Sequence, residues 1–181
     1  MNVLAFSGSL RQGSFNSGLV RAAAELAPSG MLIELADISA IPLYNGDDDG
    51  DSKPEAVERL ARQVQNADAL LFATPEYNYS IPGVLKNAID WLSRVEGSVF
   101  TGKPAAIMGA SMGGMGTSRS QYHLRQVLVC LDVPLLNKPE VFVSAAHQKC
   151  DDNGDLTDEK TRGMIAKQLQ ALKDWHATLK G

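Results

Sequence analysis

Residues 2–16, Asn2-Val3-Leu4-Ala5-Phe6-Ser7-Gly8-Ser9-Leu10-Arg11-Gln12-Gly13-Ser14-Phe15-Asn16, decide the fold. An apolar run of strand length, Asn2 to Ser7, gives way to a Gly and Ser cluster, Ser7 to Ser14. A helix is expected to open around Asn16, a good N-cap, and to run through Leu19, Val20, Ala23 and Leu26 until Pro28 and Gly30 stop it. Strand, glycine turn and helix in that order form the opening unit of a parallel sheet with helices on its faces. The turn also carries anion-binding equipment. Free N–H groups and the positive end of the helix dipole meet there, Gly8 and Gly13 permit close approach, Ser9 and Ser14 supply hydroxyls, and Arg11 offers a bidentate fork. A phosphate monoester suits it; an ordinary capped turn with surface Ser and Arg is the alternative.

The same alternation continues along the chain. Met31 to Ala36 reads as a second strand, and the polar stretch Asp37 to Ser52, with its acidic run from Asp47, reads as a solvated loop. Ser52, Pro54 and Glu55 form a helix-start signature ahead of Val57, Leu60, Ala61 and Val64. Ala69 to Thr74 is a buried strand, Pro75 to Gly83 a loop, and Val84, Leu85, Ala88, Ile89 and Leu92 trace a helical face. Pro104 to Ser111, Ser118 to Leu131, Val141 to Val143 and Asp158 to Leu179 complete the pattern as strand, helix, strand and helix. Five strands and five helices fill residues 1–181 with no repeat and no linker, so a single α/β domain is expected: a flavodoxin-like, doubly wound, five-stranded parallel sheet with helices on both faces. Such sheets bind ligands outside the carboxyl ends of the strands where the strand order reverses.

Three loops therefore matter most. Beyond Gly8 to Ser14 there is Pro75-Glu76-Tyr77-Asn78-Tyr79-Ser80-Ile81-Pro82-Gly83, stiffened by two prolines, whose tyrosines could flank a planar ligand or else plug the core or a subunit contact. The third, Ser111-Met112-Gly113-Gly114-Met115-Gly116, brings bare backbone to the crevice. No carboxylate pair, Cys-His couple or metal cluster lies on them. Phosphate donors at one end and aromatic and glycine walls at the other suit a bound cofactor that does the chemistry itself.

Composition sets the limits. The 181 residues are 44% apolar and 21% charged, with 16 Gly and 8 Pro, which excludes disordered and collagenous classes. Seventeen basic residues against 21 acidic ones give a net charge of -4, the wrong sign for a nucleic-acid surface. No apolar run approaches the ~18 residues that span a bilayer, and the apolar start lacks a basic flank, so a cytoplasmic setting without membrane association is expected. Cys130 and Cys150 lack metal or redox spacing and read as packing residues.

Three motifs in register, Ser7-Gly8-Ser9-x-Arg11-x-x-Ser14-x-Asn16, Pro75-Glu76-Tyr77-Asn78, and Gly109-x-Ser111-x-Gly113-Gly114 with Arg119, resemble the NADPH-dependent FMN reductases, most closely their chromate and quinone reductase branch. The resemblance implies that Ser9, Arg11, Ser14 and Asn16, assisted by Ser17, hold the FMN phosphate. It implies that Pro75, Glu76, Tyr77 and Asn78 line the ribityl chain and isoalloxazine, and that Ser111 and Gly113 meet the pyrimidine end. It further implies a homodimer or homotetramer and a ping-pong reaction. In it NADPH or NADH gives a hydride to the flavin, and an acceptor such as a quinone, azo compound, free flavin or metal oxyanion then takes two electrons.

Two rivals remain open at this stage. Gly109-Ala110-Ser111-Met112-Gly113 also satisfies the nucleophile elbow of serine hydrolases, with Asp132 and His147, or Asp151 and His176, following in the required order. A flavodoxin-type electron carrier would share the fold without being an enzyme.

Overall fold

The computed structural model describes residues 1–181. Five parallel strands, β1 (Asn2–Ser7), β2 (Leu32–Leu35), β3 (Ala69–Ala73), β4 (Ala105–Ala110) and β5 (Val141–Val143), form one sheet in the order β2-β1-β3-β4-β5. They alternate with α1 (Phe15–Glu25), α2 (Glu55–Asn66), α3 (Gly83–Ser93), α4 (Ser118–Cys130) and α5 (Glu159–Lys180). This is the flavodoxin-like arrangement, with the order reversing between β1 and β3.

Each face of the sheet has its own core because alternate strand residues point to opposite sides. Leu4, Phe6, Leu70, Phe72 and Ile107 pack under Leu60 and Val64 of α2, Leu85 and Ile89 of α3, and Leu124 and Leu128 of α4. Val3, Leu71 and Met108 pack under Leu19, Val20 and Ala23 of α1 and Ile165, Leu169 and Leu172 of α5. Phe6 and Phe72 stack at 5.0 Å between centroids, tying the two strands that flank the reversal point.

Several local expectations need correction. The N-cap of α1 is Ser14, not Asn16: Ser14 is extended (φ -73°, ψ 122°) and its side chain accepts from Ser17 N–H. Asn16 lies inside the first turn and is buried, its amide drawn to β4. The helix-start signature at Ser52 marks the right place but Ser52 does not cap the helix: Pro54 is the N-cap of α2 and no side chain caps it. The stretch from Asp37 to Ser52 is more than a solvated loop. Trp91 and Asn87 of α3 both donate to Pro42 O at 2.8 Å, a one-turn helix covers Gly46–Asp48, and the Asp49 side chain is only 6% exposed between Lys53 and Arg94. Cys130 is exposed rather than packed, and both cysteines are free thiols. No helix is long and apolar enough to cross a membrane.

Candidate active site

The loops after β1, β3 and β4 meet at the reversal point. Gly8 N–H donates to Ala73 O at 2.9 Å, and a Cβ on Gly8 would lie 3.0 Å from both Pro75 Cδ and Pro82 Cγ, so the first two loops touch at a position where a side chain would crowd both prolines. In the first loop the hydroxyls chiefly organise the backbone. Ser14 caps the helix, Ser17 Oγ shares a hydrogen bond with Ser7 Oγ at 2.9 Å, and Ser9 Oγ accepts from Arg11 N–H at 3.4 Å. Asn16 spends its amide on Ala110, donating to its carbonyl at 3.0 Å and accepting from its N–H at 2.9 Å. What remains is a cluster of backbone donors: the N–H groups of Leu10, Gln12, Gly13, Phe15 and Asn16 have no acceptor in the protein. Arg11 leans over the Phe15 ring, 5.1 Å from its centroid, and donates one N–H to Gly13 O, leaving its other guanidinium donors free. A peptide with so many unpaired donors at a helix N-terminus fits a phosphate group.

The second loop is a hairpin turn. Tyr77 and Ser80 exchange backbone hydrogen bonds of 3.0 Å in both directions, and Asn78 (φ 50°) and Tyr79 (φ 67°) are both left-handed. Asn accepts that conformation readily, whereas Tyr does so at a cost that surrounding contacts must offset. The contact is Arg119 of α4, whose guanidinium sits 3.7 Å from the Tyr79 ring centroid. Glu76, 8% exposed at its side chain, accepts from Arg119 Nε at 2.6 Å and from the Arg119 and Ser120 N–H groups at 3.1 and 3.3 Å. Tyr77 and Tyr79 are themselves exposed. Pro75 is buried, with its carbonyl accepting from Ser120 Oγ at 2.8 Å.

In the third loop, Ser111 N–H pairs with Val143 O at 3.0 Å and Ser111 Oγ with Gly113 O at 3.4 Å, while the N–H groups of Met112, Gly113 and Gly114 have no acceptor. Sequence reasoning missed the scaffold beneath. A Cβ on Gly109 would fall 2.1 Å from Thr117 Oγ1 and 2.3 Å from Thr74 O. A Cβ on Gly18 would fall 1.9 Å from Gly154 O, because the turn Asp151–Asp155 packs against the first turn of α1. A glycine inside an otherwise good helix was the available signal at Gly18. Beside that turn, burial and the charges of Asp151 and Asp155 push the Cys150 thiol up to about 11, which keeps it protonated and unreactive.

The structure brings together Ser9, Arg11, Ser14, Pro75, Glu76, Tyr77, Asn78, Ser111 and Gly113 on adjoining loops and Asn16 and Ser17 in the first turn of α1, with the Asn16 side chain turned to Ala110. It does not assemble a hydrolase. Asp132 follows α4, where its carbonyl accepts from Gly102 N–H at the opposite end of the sheet; His176 lies near Asp68 and Lys180 at that same far end. His147 is exposed and makes no hydrogen bond to Ser111, and Asp151 is committed to its own turn.

The comparisons with known proteins agree with this geometry. The family model described as NADPH-dependent FMN reductase matches residues 1–148. An NAD(P)H-dependent FMN reductase of Pseudomonas aeruginosa is 60% identical over 181 residues, covering 100% of this chain and 98% of the relative. A quinone reductase of Escherichia coli K12 is 44% identical over 178 residues, covering 97% of this chain and 95% of the relative. Among solved structures, the flavoenzyme NAD(P)H:acceptor oxidoreductase FerB of Paracoccus denitrificans superposes with a TM-score of 0.88 at 36% identity, covering 98% and 97% of the two chains. With the three motif loops converging at the reversal point of the expected sheet and the family model matching most of its length, this chain belongs to the NADPH-dependent FMN reductase family.

Proposed function

We propose that residues 1–181 act as one FMN-binding domain that oxidises NAD(P)H and reduces a quinone, in two half-reactions that share one strand-end crevice. The observation that carries this reading is the cluster of unpaired N–H groups from Leu10 to Asn16 beside Arg11 in a chain of net charge -4. FMN, when bound, supplies the hydride-accepting and electron-donating chemistry. The chain's part is to bind and orient it. Backbone N–H groups of Gln12, Gly13, Phe15 and Asn16, with Arg11 and the Ser9 hydroxyl, would hold the phosphate, while Ser14 and Ser17 keep those amides aimed. Asn16 thus contributes its backbone, its side chain being committed to Ala110. Pro75, Glu76, Tyr77 and Asn78 would line the ribityl and ring portion. Ser111, Gly113 and the neighbouring free amides would give the pyrimidine end donors for negative charge.

The acceptor class follows from the quinone reductase named among the relatives and from the aromatic and thioether side chains of Tyr77, Tyr79, Met112 and Met115, which are exposed on the loops of the crevice. Azo compounds, free flavin and metal oxyanions are the further candidates. That exposed set also supports a homodimer or homotetramer in which a neighbour covers the rim. Two free thiols support a reducing, cytoplasmic setting. The test is to add FMN to the purified protein, follow bleaching of the yellow colour by NADPH or NADH, and then add a quinone. Bleaching followed by return of colour, with steady turnover of NADPH, is expected. Bleaching without turnover would identify an electron carrier, and no FMN binding would refute the reading.

A further inference from the structure

A second hollow opens on the β2 side of the first loop. It measures about 260 Å³, and Ser9 and Leu10 of the loop, Ser17 of α1, and Leu35, Asp37 and Ile38 around the end of β2 line it. That is under the ~300 Å³ at which sites for a whole drug-sized ligand begin, so it has room for one end of a molecule whose remainder lies elsewhere. No residue after β3 or β4 lines it, which sets it apart from the rim assigned above to a neighbouring copy.

Its chemistry is that of a nucleoside site. Leu10, Leu35 and Ile38 give apolar surface for the face of a planar base. Asp37 Oδ1 accepts from the Ser39 hydroxyl at 2.6 Å and the Ser39 N–H at 2.9 Å, which leaves Oδ2 without a partner. The hydroxyl and then the N–H hold the carboxyl below its ordinary value, so it is ionised at neutral pH. An acidic residue beyond the first βα turn is what dinucleotide-binding doubly wound sheets use to bond a ribose hydroxyl. The N–H groups of Asp37 and Ile38 have no acceptor in the protein and are available to the edge of a base. No basic side chain lines the hollow, so the part that enters it is uncharged and the ligand's negative charge rests on the loop amides. Leu10, whose N–H is also unpaired, belongs to both the loop and the hollow.

We propose that this hollow takes the adenosine of FAD, so that the chain accepts the flavin dinucleotide as well as FMN. The inference rests on the reading of the first loop given above. The phosphate common to both flavins sits on the amides between Gln12 and Asn16, FAD continues from it through its second phosphate past the Leu10 N–H, and its adenosine ribose donates to Asp37.

Calorimetric titration of the flavin-free protein with FMN and with FAD tests this. FAD should bind with a Kd no higher than that of FMN. Asp37→Asn should raise the Kd for FAD by about fivefold or more and Leu35→Ala by about threefold or more, while both leave the Kd for FMN within about twofold, which also shows that the variants are folded. FAD binding that is weaker than FMN binding by about tenfold, or that is the same in the wild type and both variants, would overturn the proposal and leave the reading of the first loop standing. Failure of both flavins to bind would overturn the two together. The other source of an adenosine is the reductant: if Asp37→Asn raises the KM for NADH of the FMN-loaded protein and leaves FAD affinity unchanged, the hollow serves NADH and the FAD assignment falls.

Discussion

Glu76 caps a helix that begins in another part of the chain, and Arg119 is the residue through which it does so. One carboxylate oxygen takes Arg119 Nε at 2.6 Å while the other takes the Arg119 and Ser120 N–H groups at 3.1 and 3.3 Å. The cap is needed because Thr117, the residue at the N-cap of α4, is left-handed (φ 68°) and its hydroxyl, which accepts from Gln121 Nε2 at 3.0 Å, caps no backbone N–H. A single carboxylate thus fastens the Tyr77–Ser80 turn to α4 and holds Arg119 against Tyr79.

Glu76→Gln keeps the size and removes the charge. Arg119, 38% exposed at its side chain, is the solvent-screened partner of the pair and limits the loss to about 1–2 kcal/mol, so FMN affinity should weaken by about fivefold to thirtyfold. Fluorescence titration with FMN checks this; unchanged Kd would detach the carboxylate from the site's geometry.

Arg11→Ala and Asn16→Ala should separate binding from folding. Arg11 is exposed, and its loss should weaken FMN binding by about tenfold to a hundredfold while stability moves by no more than about 0.5 kcal/mol. Asn16→Ala strands the buried Ala110 N–H and carbonyl and should cost about 2–4 kcal/mol of stability. Denaturant unfolding and FMN titration of both variants read the two quantities independently.

The same Gly→Ala change should have opposite signs at two helical positions. At Gly18 the new Cβ meets Gly154 O at 1.9 Å, for a loss of about 1–3 kcal/mol and a Tm lower by about 2–12 °C. At Gly163 in α5 nothing lies within 4 Å, and alanine should add about 0.4–1 kcal/mol. Calorimetry on the two variants checks both.

Asp49 makes the strap over α3 acid-sensitive. Hydrogen bonds from Lys53 and then Arg94 lower its carboxyl from 3.8 to about 2, with Tyr44 adding to them against the effect of burial. Because the folded value is the lower one, the stabilisation is fully present above pH 3.8 and is lost as pH falls toward about 2. Asp49→Asn should therefore melt below the wild type at pH 7, with the gap closing across that acid window. A gap independent of pH would contradict the assignment.

The β-branched and apolar runs, the Gly and Pro punctuation and the helical periodicities were enough to read the sheet, because β1, β3 and β4 are covered on both faces and must be apolar, although the edge strand β2 is largely exposed. Asn2–Ser7 and Val141–Val143 match their expected bounds. Asn16 misled because a buried amide that pairs with a distant backbone looks, in sequence, like a good cap. Asp49 misled because an acidic run gives no sign of which carboxylate finds Lys53 and Arg94. The close approaches at Gly18 and Gly109 are set by strands and turns far along the chain, so only Gly18, a glycine within a helix, left a local trace. The donors of the first loop were legible in kind; that the Ser14 and Ser17 hydroxyls are spent on holding the loop and helix start, leaving chiefly the amides, was not.

A crystal structure of the protein soaked with FMN tests the central claim most directly. The account predicts phosphate oxygens within about 3 Å of the N–H groups of Gln12, Gly13, Phe15 or Asn16, with the ring system on the side of the Pro75–Asn78 and Ser111–Gly113 loops. FMN found elsewhere on the molecule, with those amides still without a partner, would contradict it.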